Sequence, residues 1–214
     1  MSTVLVIDDH PIVLQGCKRI LEDAGIDTVL ESSSLATGIR LYRAHNPEMI
    51  IIDLSLKSGV LDGLTFIRRL RLNDRKVPIL VFSMHNDPIV VNHALEAGAN
   101  GYVLKDTWSD EFLTAFNKVR EGGAYISHEL ASEVVFSKSR GSTNPLATMT
   151  LRELQILSLV AEGKSYGAIA EEIGVSYKTI ANSTSQIKNK IGVHSLPELM
   201  RVALQYLPSV RHKR

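Results

Sequence analysis

The sequence predicts a five-stranded parallel α/β sheet wrapped by helices, followed by a small all-α domain of four helices. Three observations carry this. Strand-like apolar runs alternate with amphipathic helical stretches five times over residues 3–120, the signature of βαβ units. The run Met49–Ile52 reads Met-Ile-Ile-Ile, apolar without alternation, which suits a strand buried on both faces of a parallel sheet. After residue 146 the strand signals stop, and helical periodicity is punctuated by Thr150-Leu-Arg-Glu153, Gly163, Gly174 and Ser195-Leu-Pro-Glu198, which are helix starts and stops.

Bulk properties narrow the class. A chain of 214 residues fits one large or two small domains, and 44% hydrophobic with 22% charged residues is ordinary globular composition. No apolar run approaches the roughly 20 residues that span a bilayer, and the start, Met-Ser-Thr-Val-Leu-Val-Ile-Asp-Asp, lacks the basic region of a signal peptide. A cytoplasmic protein with no membrane partner is expected. Cys17 stands alone, which excludes an internal disulfide or a cysteine metal site. Residues 1–121 hold 13 Lys+Arg against 16 Asp+Glu, and residues 122–214 hold 11 against 7. That asymmetry points to nucleic acid as the partner of the second half. The seven histidines are scattered and receive no metal role.

In chain order, Thr3–Ile7 is a strand running into Asp8 and Asp9, and Pro11 opens a helix to about Asp23. Asp27–Glu31 is a weak second strand, and Leu35–Ala44 a helix with Leu35, Ile39 and Leu41 inward. Met49–Ile52 ends in Asp53. Gly63–Leu72 is a helix with Arg68, Arg69 and Arg71 outward. Val77–Phe82, Pro88–Glu96, Tyr102–Leu104 and Ser109–Arg120 follow as strand, helix, strand and closing helix, ended by Gly122-Gly123. Right-handed crossovers leave few topologies. The flavodoxin-like order 2-1-3-4-5 sets strands one and three side by side, with the ligand-binding switch point between their carboxyl ends.

That order brings Asp8, Asp9 and Asp53 to one sheet edge. Three carboxylates in a cleft raise one another's pKa, and a hard divalent cation such as Mg2+ relieves the repulsion. A cation held this way suits phosphoryl transfer to an oxygen nucleophile, and Asp53 can be that nucleophile through an aspartyl-phosphate. The fourth strand ends at Ser83, a hydroxyl for a phosphate oxygen, and the fifth at Lys105, a cation for the added charge.

Asp8-Asp9-His10-Pro11, Asp53, Asp62-Gly63, Ser83-Met84-His85 and Ala97-Gly98-Ala99-Asn100-Gly101-Tyr102-Val103-Leu104-Lys105-Asp106 together resemble the receiver domain of two-component response regulators. The resemblance covers about residues 3–121. It implies that Asp53 accepts phosphate from a phosphohistidine on a sensor histidine kinase. It implies Mg2+ ligation by Asp8, Asp9, Asp53 and the Ser55 backbone carbonyl, phosphate reading by Lys105 and Ser83, and a rotamer change of Tyr102 coupled to Ser83. The loop Leu54–Gly63 is longer than is common in that family and has no proline. Trp108, the single tryptophan, is placed to report the switch by fluorescence.

Residues 124–146 read as a linker. Ser127–Phe136 forms a short helix within it, and Ser137–Pro145 is polar and rich in turn formers. From Thr150 to about Leu207 four helices follow, and the two joined by Gly174-Val175 make a helix-turn-helix. In the third, Ile180, Thr184, Ile187 and Ile191 point inward, leaving Lys178, Asn182, Ser185 and Asn189 on a polar outer face. Such a face can read base edges in a major groove. Lys164, Lys188 and Lys190 are candidates for phosphates.

Thr150, Arg152-Glu153, Ile156-Leu157, Ala161-Glu162-Gly163, Ile169-Ala170, Ser176, Lys178-Thr179-Ile180 and Ile187-Lys188-Asn189-Lys190-Ile191-Gly192-Val193 resemble the LuxR/NarL/FixJ-type DNA-binding domain, which adds Thr179 to the candidate contacts. That family usually carries a His in the middle of this helix, and a Lys is common two positions before it. Ser183 and Ala181 stand there instead.

The expectation is a receiver at 1–123, a linker at 124–146 and a LuxR-type helix-turn-helix domain at 147–214. The protein would be a transcriptional response regulator switched by Mg2+-dependent phosphorylation of Asp53, with double-stranded DNA as ligand and a homodimer on activation. Its chemistry would be limited to self-phosphorylation and autodephosphorylation. Three alternatives stand beside it. The second half could act through protein–protein contacts, or the regulator could be phosphate-independent. A small-molecule phosphotransferase is disfavoured, because Ser55 holds the position two after the nucleophile where such enzymes place an acid.

Overall fold

The computed structural model describes residues 2–56, 61–107, 109–139, 145–146 and 148–206. Trp108, the centre of the loop after β3 (57–60), the linker segment 140–144 and the tail 207–214 lie outside the described residues. The chain divides into two compact units, Met1–Asn86 with Val90–Ser132, and Asp87–Ile89 with Glu133–Arg214.

The first unit alternates β1 (Thr3–Ile7), α1 (Pro11–Asp23), β2 (Thr28–Ser32), α2 (Leu35–His45), β3 (Met49–Ile52), α3 (Asp62–Asn73), β4 (Ile79–Ser83), α4 (Pro88–Ala97), β5 (Gly101–Leu104) and α5 (Ser109–Arg120). The expected order 2-1-3-4-5 is present, and every pair is parallel. A sixth strand was not expected. The two-residue β6 (Tyr125–Ile126) pairs parallel with β5 beyond the double glycine. It is too short for periodicity to reveal, and Tyr125 is fastened by its hydroxyl donating to Glu111 Oε1 at 3.1 Å.

The sheet is buried on both faces. Val4, Val6, Met49, Ile51, Leu80 and Val103 pack with Leu14, Cys17 and Leu21 of α1 and Phe112, Phe116 and Val119 of α5. On the other face a Cβ at Gly38 of α2 would fall 2.6 Å from Ile7 Cδ1. Cys17 is buried, and that burial pushes its thiol up to about 12, the profile of an inert core residue.

The second unit holds α7 (Leu151–Ala161), α8 (Tyr166–Ile173), α9 (Tyr177–Ile191) and α10 (Leu196–Tyr206). Preceding them is α6 (His128–Ser139), so the expected helix runs on into the polar stretch at Ser137–Ser139. The Thr150–Glu153 capping box is reciprocal. At α10 Ser195 caps the Glu198 N–H at 3.3 Å, while the Glu198 carboxylate accepts from the His194 N–H at 2.9 Å. Gly174 closes α8 in the left-handed region at φ 72°. Ile180, Thr184 and Ile187 are fully buried. None of the helices among the described residues is long and apolar enough to cross a membrane.

Candidate functional site: a carboxylate cluster and a recognition helix

Parallel register delivers the cluster. The Asp8 N–H donates to the Ser32 carbonyl and the Asp53 N–H to the Ile7 carbonyl, both at 2.9 Å, so the carboxylates leave adjacent strands at one edge. The Lys105 N–H donates to the Ser83 carbonyl at 3.0 Å, which sets Lys105 beside the end of β4. Its ammonium then reaches across to Asp8 Oδ2 at 2.6 Å and Asp53 Oδ2 at 2.9 Å. Asp8, Asp9 and Asp53 are 2%, 9% and 4% exposed, so these charges interact in a low-dielectric site. The other Asp53 oxygen, Oδ1, accepts the Leu54 N–H at 2.7 Å.

Burial pushes the Asp8 carboxyl above its usual value, against the lowering by Lys105. Burial would lower Lys105, but Asp53 and Asp8 beside it hold its ammonium above the usual value. Two acids therefore share the Lys105 ammonium, and the third faces only the His10 ring. Asp9 Oδ1 is buried without a hydrogen-bond partner, although His10 Nδ1 lies 3.0 Å away and makes its hydrogen bond to Asp8 instead. A buried unpaired carboxylate oxygen is costly unless something cationic meets it. Ligand atoms of Asp8, Asp9, His10 and Asp53 lie within 4.8 Å of one another. The carboxylate oxygens among them, from Asp8, Asp9 and Asp53, are donors that could hold a hard divalent cation. His10, given no role from sequence, joins the cluster because it directly follows Asp9.

The glycine of Asp62-Gly63 has a steric reason. A Cβ at Gly63 would fall 2.4 Å from the Asp53 carbonyl oxygen and 2.8 Å from Leu54 Cα. The start of α3 thus rests against the backbone of Asp53 and Leu54. Ser83 is buried and its Oγ accepts the His85 N–H at 3.4 Å. Tyr102 is fully buried, with its hydroxyl donating to the His85 carbonyl at 2.7 Å. Ser55 Oγ meets His85 Nε2 at 2.6 Å. His85 therefore joins the segments after β3 and β4 to Tyr102, a connection invisible in the sequence because all three residues are distant along the chain.

In the second unit the outward residues stand where periodicity places them. Lys178, Asn182, Ser185 and Asn189 are exposed, and Lys178 enters no ion pair among the described residues. Thr179 is occupied at the cap, its N–H donating to Ser176 Oγ at 3.1 Å and its hydroxyl 2.9 Å from the same atom. Lys188 is half-buried. Lys190 pairs with Glu153 at 2.8 Å, and Lys164 with Glu162 and Glu172 at 3.0 and 2.6 Å. Sequence reasoning passed over Tyr177, the first residue of α9. It is 62% exposed, and its ring centroid lies 5.9 Å from that of Tyr166. Its place directly after the capping Ser176 was the available signal.

A buried acid triad, two of its members bridged by lysine, at the carboxyl edge of a 2-1-3-4-5 sheet, with a helix-turn-helix in the same chain, defines a phosphorylation-type receiver joined to a DNA-binding module. The comparisons agree. Residues 4–117 match the response regulator receiver domain, and residues 147–203 match the bacterial regulatory proteins of the luxR family. The chain belongs to the LuxR/NarL-type family of DNA-binding two-component response regulators. It is 36% identical over 204 residues to the methanol utilization control regulatory protein MoxX of Paracoccus denitrificans, covering 95% of this chain and 91% of that one. It is 28% identical over 209 residues to the response regulator UvrY of Escherichia coli K12, covering 96% and 95%. Among solved structures, the RcsB response regulator of Salmonella typhimurium superposes with a TM-score of 0.75 at 28% identity, covering 98% and 99%. RcsB bound to promoter P1flhDC in the presence of the phosphomimetic BeF3− gives 0.74 at 26% identity, covering 95% and 98%.

Proposed function

We propose that Asp53 is the phosphoacceptor of this regulator, that Mg2+ is its cofactor, and that phosphorylation by a sensor histidine kinase sets how the second unit, as a homodimer, binds double-stranded DNA. The observation that carries this is the Lys105 ammonium bridging Asp8 and Asp53 beside the unmet oxygen of Asp9. Mg2+, held by Asp8, Asp9, Asp53 and the Ser55 carbonyl, would neutralise charge on the transferring phosphoryl group. An Asp53 carboxylate oxygen forms the new O–P bond as the N–P bond of the donor phosphohistidine breaks. Lys105 then balances the added charge, and the Ser83 hydroxyl binds a phosphoryl oxygen. Moving Ser83 alters the surroundings of His85 and Tyr102, which share a hydrogen bond, and biases a two-state segment at that edge. Asp53 being the group modified, the protein's chemistry is confined to gaining and losing this phosphate.

On the DNA side, Lys178 would take a phosphate and Asn182, Ser185 and Asn189 base edges, with Thr179, Lys188 and Lys190 at the margin. RcsB was solved on promoter DNA with a phosphomimetic, and two RcsB dimers were solved on two parallel DNAs. Both arrangements support the same reading here, with half-sites about 10 bp apart.

The test is fluorescence anisotropy of the full chain on duplex DNA over a salt series, with and without BeF3− and Mg2+, alongside light scattering. The expected result is affinity falling linearly in log salt, tighter binding with BeF3−, and a dimer in that state. Failure to bind any duplex would favour a second half acting through protein contacts. Identical binding and mass in both states would make the regulator phosphate-independent.

A further inference from the structure

The receiver carries a second feature, remote in kind from the acid cluster. Ile39, Tyr42 and Arg43 of α2 and Phe66, Arg69 and Leu70 of α3 line an open groove of about 640 Å3. These positions recur at i, i+3 and i+4 on each helix, so the groove is bounded by two helix faces. Leu72 also lines it and is 83% exposed. One exposed leucine is unremarkable by itself, and outward arginines on a helix are usually a solvated face. Here they occur together, around an apolar floor that includes the buried Phe66.

The charge is one-sided. α2 and α3 carry Arg40, Arg43, Arg68, Arg69 and Arg71 against the single acid Asp62, although residues 1–121 are acidic on balance, at 13 Lys+Arg to 16 Asp+Glu. Arg71 is consumed internally, donating to the carbonyls of Gly98, Asp74 and Val77 and to Asn100 Oδ1. Asp74, just past α3, is taken by the Tyr42 hydroxyl at 2.5 Å and by the N–H groups of Lys76 and Val77. Arg43 and Arg69 are exposed and enter none of the ion pairs among the described residues. Two unneutralised cations therefore border a concave apolar floor.

We propose that the α2–α3 groove docks an acidic amphipathic helix from a partner protein. Its apolar residues would lie on Ile39, Phe66, Leu70 and Leu72, and its carboxylates on Arg43 and Arg69, the helix-in-groove mode of recognition. The charge pattern selects this occupant over a second copy of the same face, which would set arginine against arginine. The proposal is independent of how Asp53 and DNA are handled.

The experiment is an amide chemical-shift titration of the 15N-labelled full chain with two synthetic peptides of about 14 residues, long enough for a helix. Both carry leucine at i, i+3, i+4 and i+7, one flanked by glutamates and the other by lysines. The expected result is shifts confined to α2 and α3 with the acidic peptide. Its affinity should fall ~10-fold in Arg69→Glu, fall as well in Leu72→Ser, and weaken as salt rises toward about 0.5 M. Amide shifts of both variants away from α2 and α3 should match those of the wild-type chain, showing that they remain folded. Equal shifts from both peptides would overturn the proposal as apolar adhesion alone. Absence of shifts at α2 and α3 would overturn it outright. Binding of the same face to vesicles of anionic phospholipid, without binding the acidic peptide, would replace it with a membrane surface.

Discussion

The edge of the receiver sheet and the outer face of α9 are both polar, yet they are specified in opposite ways. At the sheet edge the charges are buried. Asp8, Asp53 and Lys105 have almost no access to solvent, so their positions follow from strand register and mutual pairing. On α9 the polar residues are exposed and make few contacts with their own chain. Their inner neighbours Ile180 and Ile187 fix the helix orientation, but nothing in the fold fixes the base contacts proposed for the outer residues. Burial forces a unique arrangement at the first region. The second leaves its arrangement to the ligand.

That contrast yields predictions of decreasing size. The largest concerns Gly63, where an added methyl meets the Asp53 carbonyl oxygen at 2.4 Å. Gly63→Ala should destabilise the first unit by about 3 kcal/mol, seen as a lower urea midpoint, and should slow phosphorylation. A neutral effect would mean that α3 is not seated against Asp53.

On α9, Asn182→Ala should cost about 2 kcal/mol of discrimination between operator and random DNA. Lys178→Ala should weaken binding to all sequences and lower the salt slope by about 1. Lys190→Ala should leave the salt slope unchanged, because its ammonium sits on Glu153 at 2.8 Å. Equal slope losses for Lys178 and Lys190 would show that the Glu153 pair opens on DNA.

A smaller effect is expected inside α9. Thr184 is fully buried, and its hydroxyl makes no hydrogen bond. Thr184→Val removes an unmet polar group at similar volume and should stabilise the second unit by about 1 kcal/mol, read as a rise in its thermal midpoint.

The pH response separates two charges at the sheet edge. Burial, against the lowering by Lys105, raises Asp8 above its ordinary value of 3.8. Its contribution to stability is therefore present below that value and lost as pH rises through the raised pKa. Burial would lower Lys105, but Asp53 and Asp8 hold it above its ordinary 10.5. Its contribution persists through neutral pH and is lost only in alkali. In chelator-treated protein, Asp8→Asn should flatten the loss of stability that sets in as pH rises above the ordinary carboxylate value of 3.8, and it should reduce stabilisation by added Mg2+. A steeper loss in the variant would contradict the assignment.

Much of this was legible in the sequence, for physical reasons. The run Met49–Ile52 suited a doubly buried strand, and the order that set β1 beside β3 brought Asp8, Asp9 and Asp53 to one edge. The inward positions of α9 followed from 3.6-residue periodicity. What escaped is short or contextual. Two residues of β6 carry no period. The Ser55–His85–Tyr102 connection depends on side chains from three separate segments. The occupation of Lys164 and Lys190 by glutamates depends on how the helices pack, and their positive charge alone had suggested phosphate.

The central claim is that the lysine-bridged acids make Asp53 a Mg2+-dependent phosphoacceptor. Intact mass after incubation with acetyl phosphate tests it most directly, on the wild-type chain and on Asp53→Asn, with and without Mg2+. The expected result is a single added phosphoryl group on the wild-type chain in Mg2+ only, and none on the variant. Modification of Asp53→Asn, or of the wild-type chain equally in chelator, would contradict it.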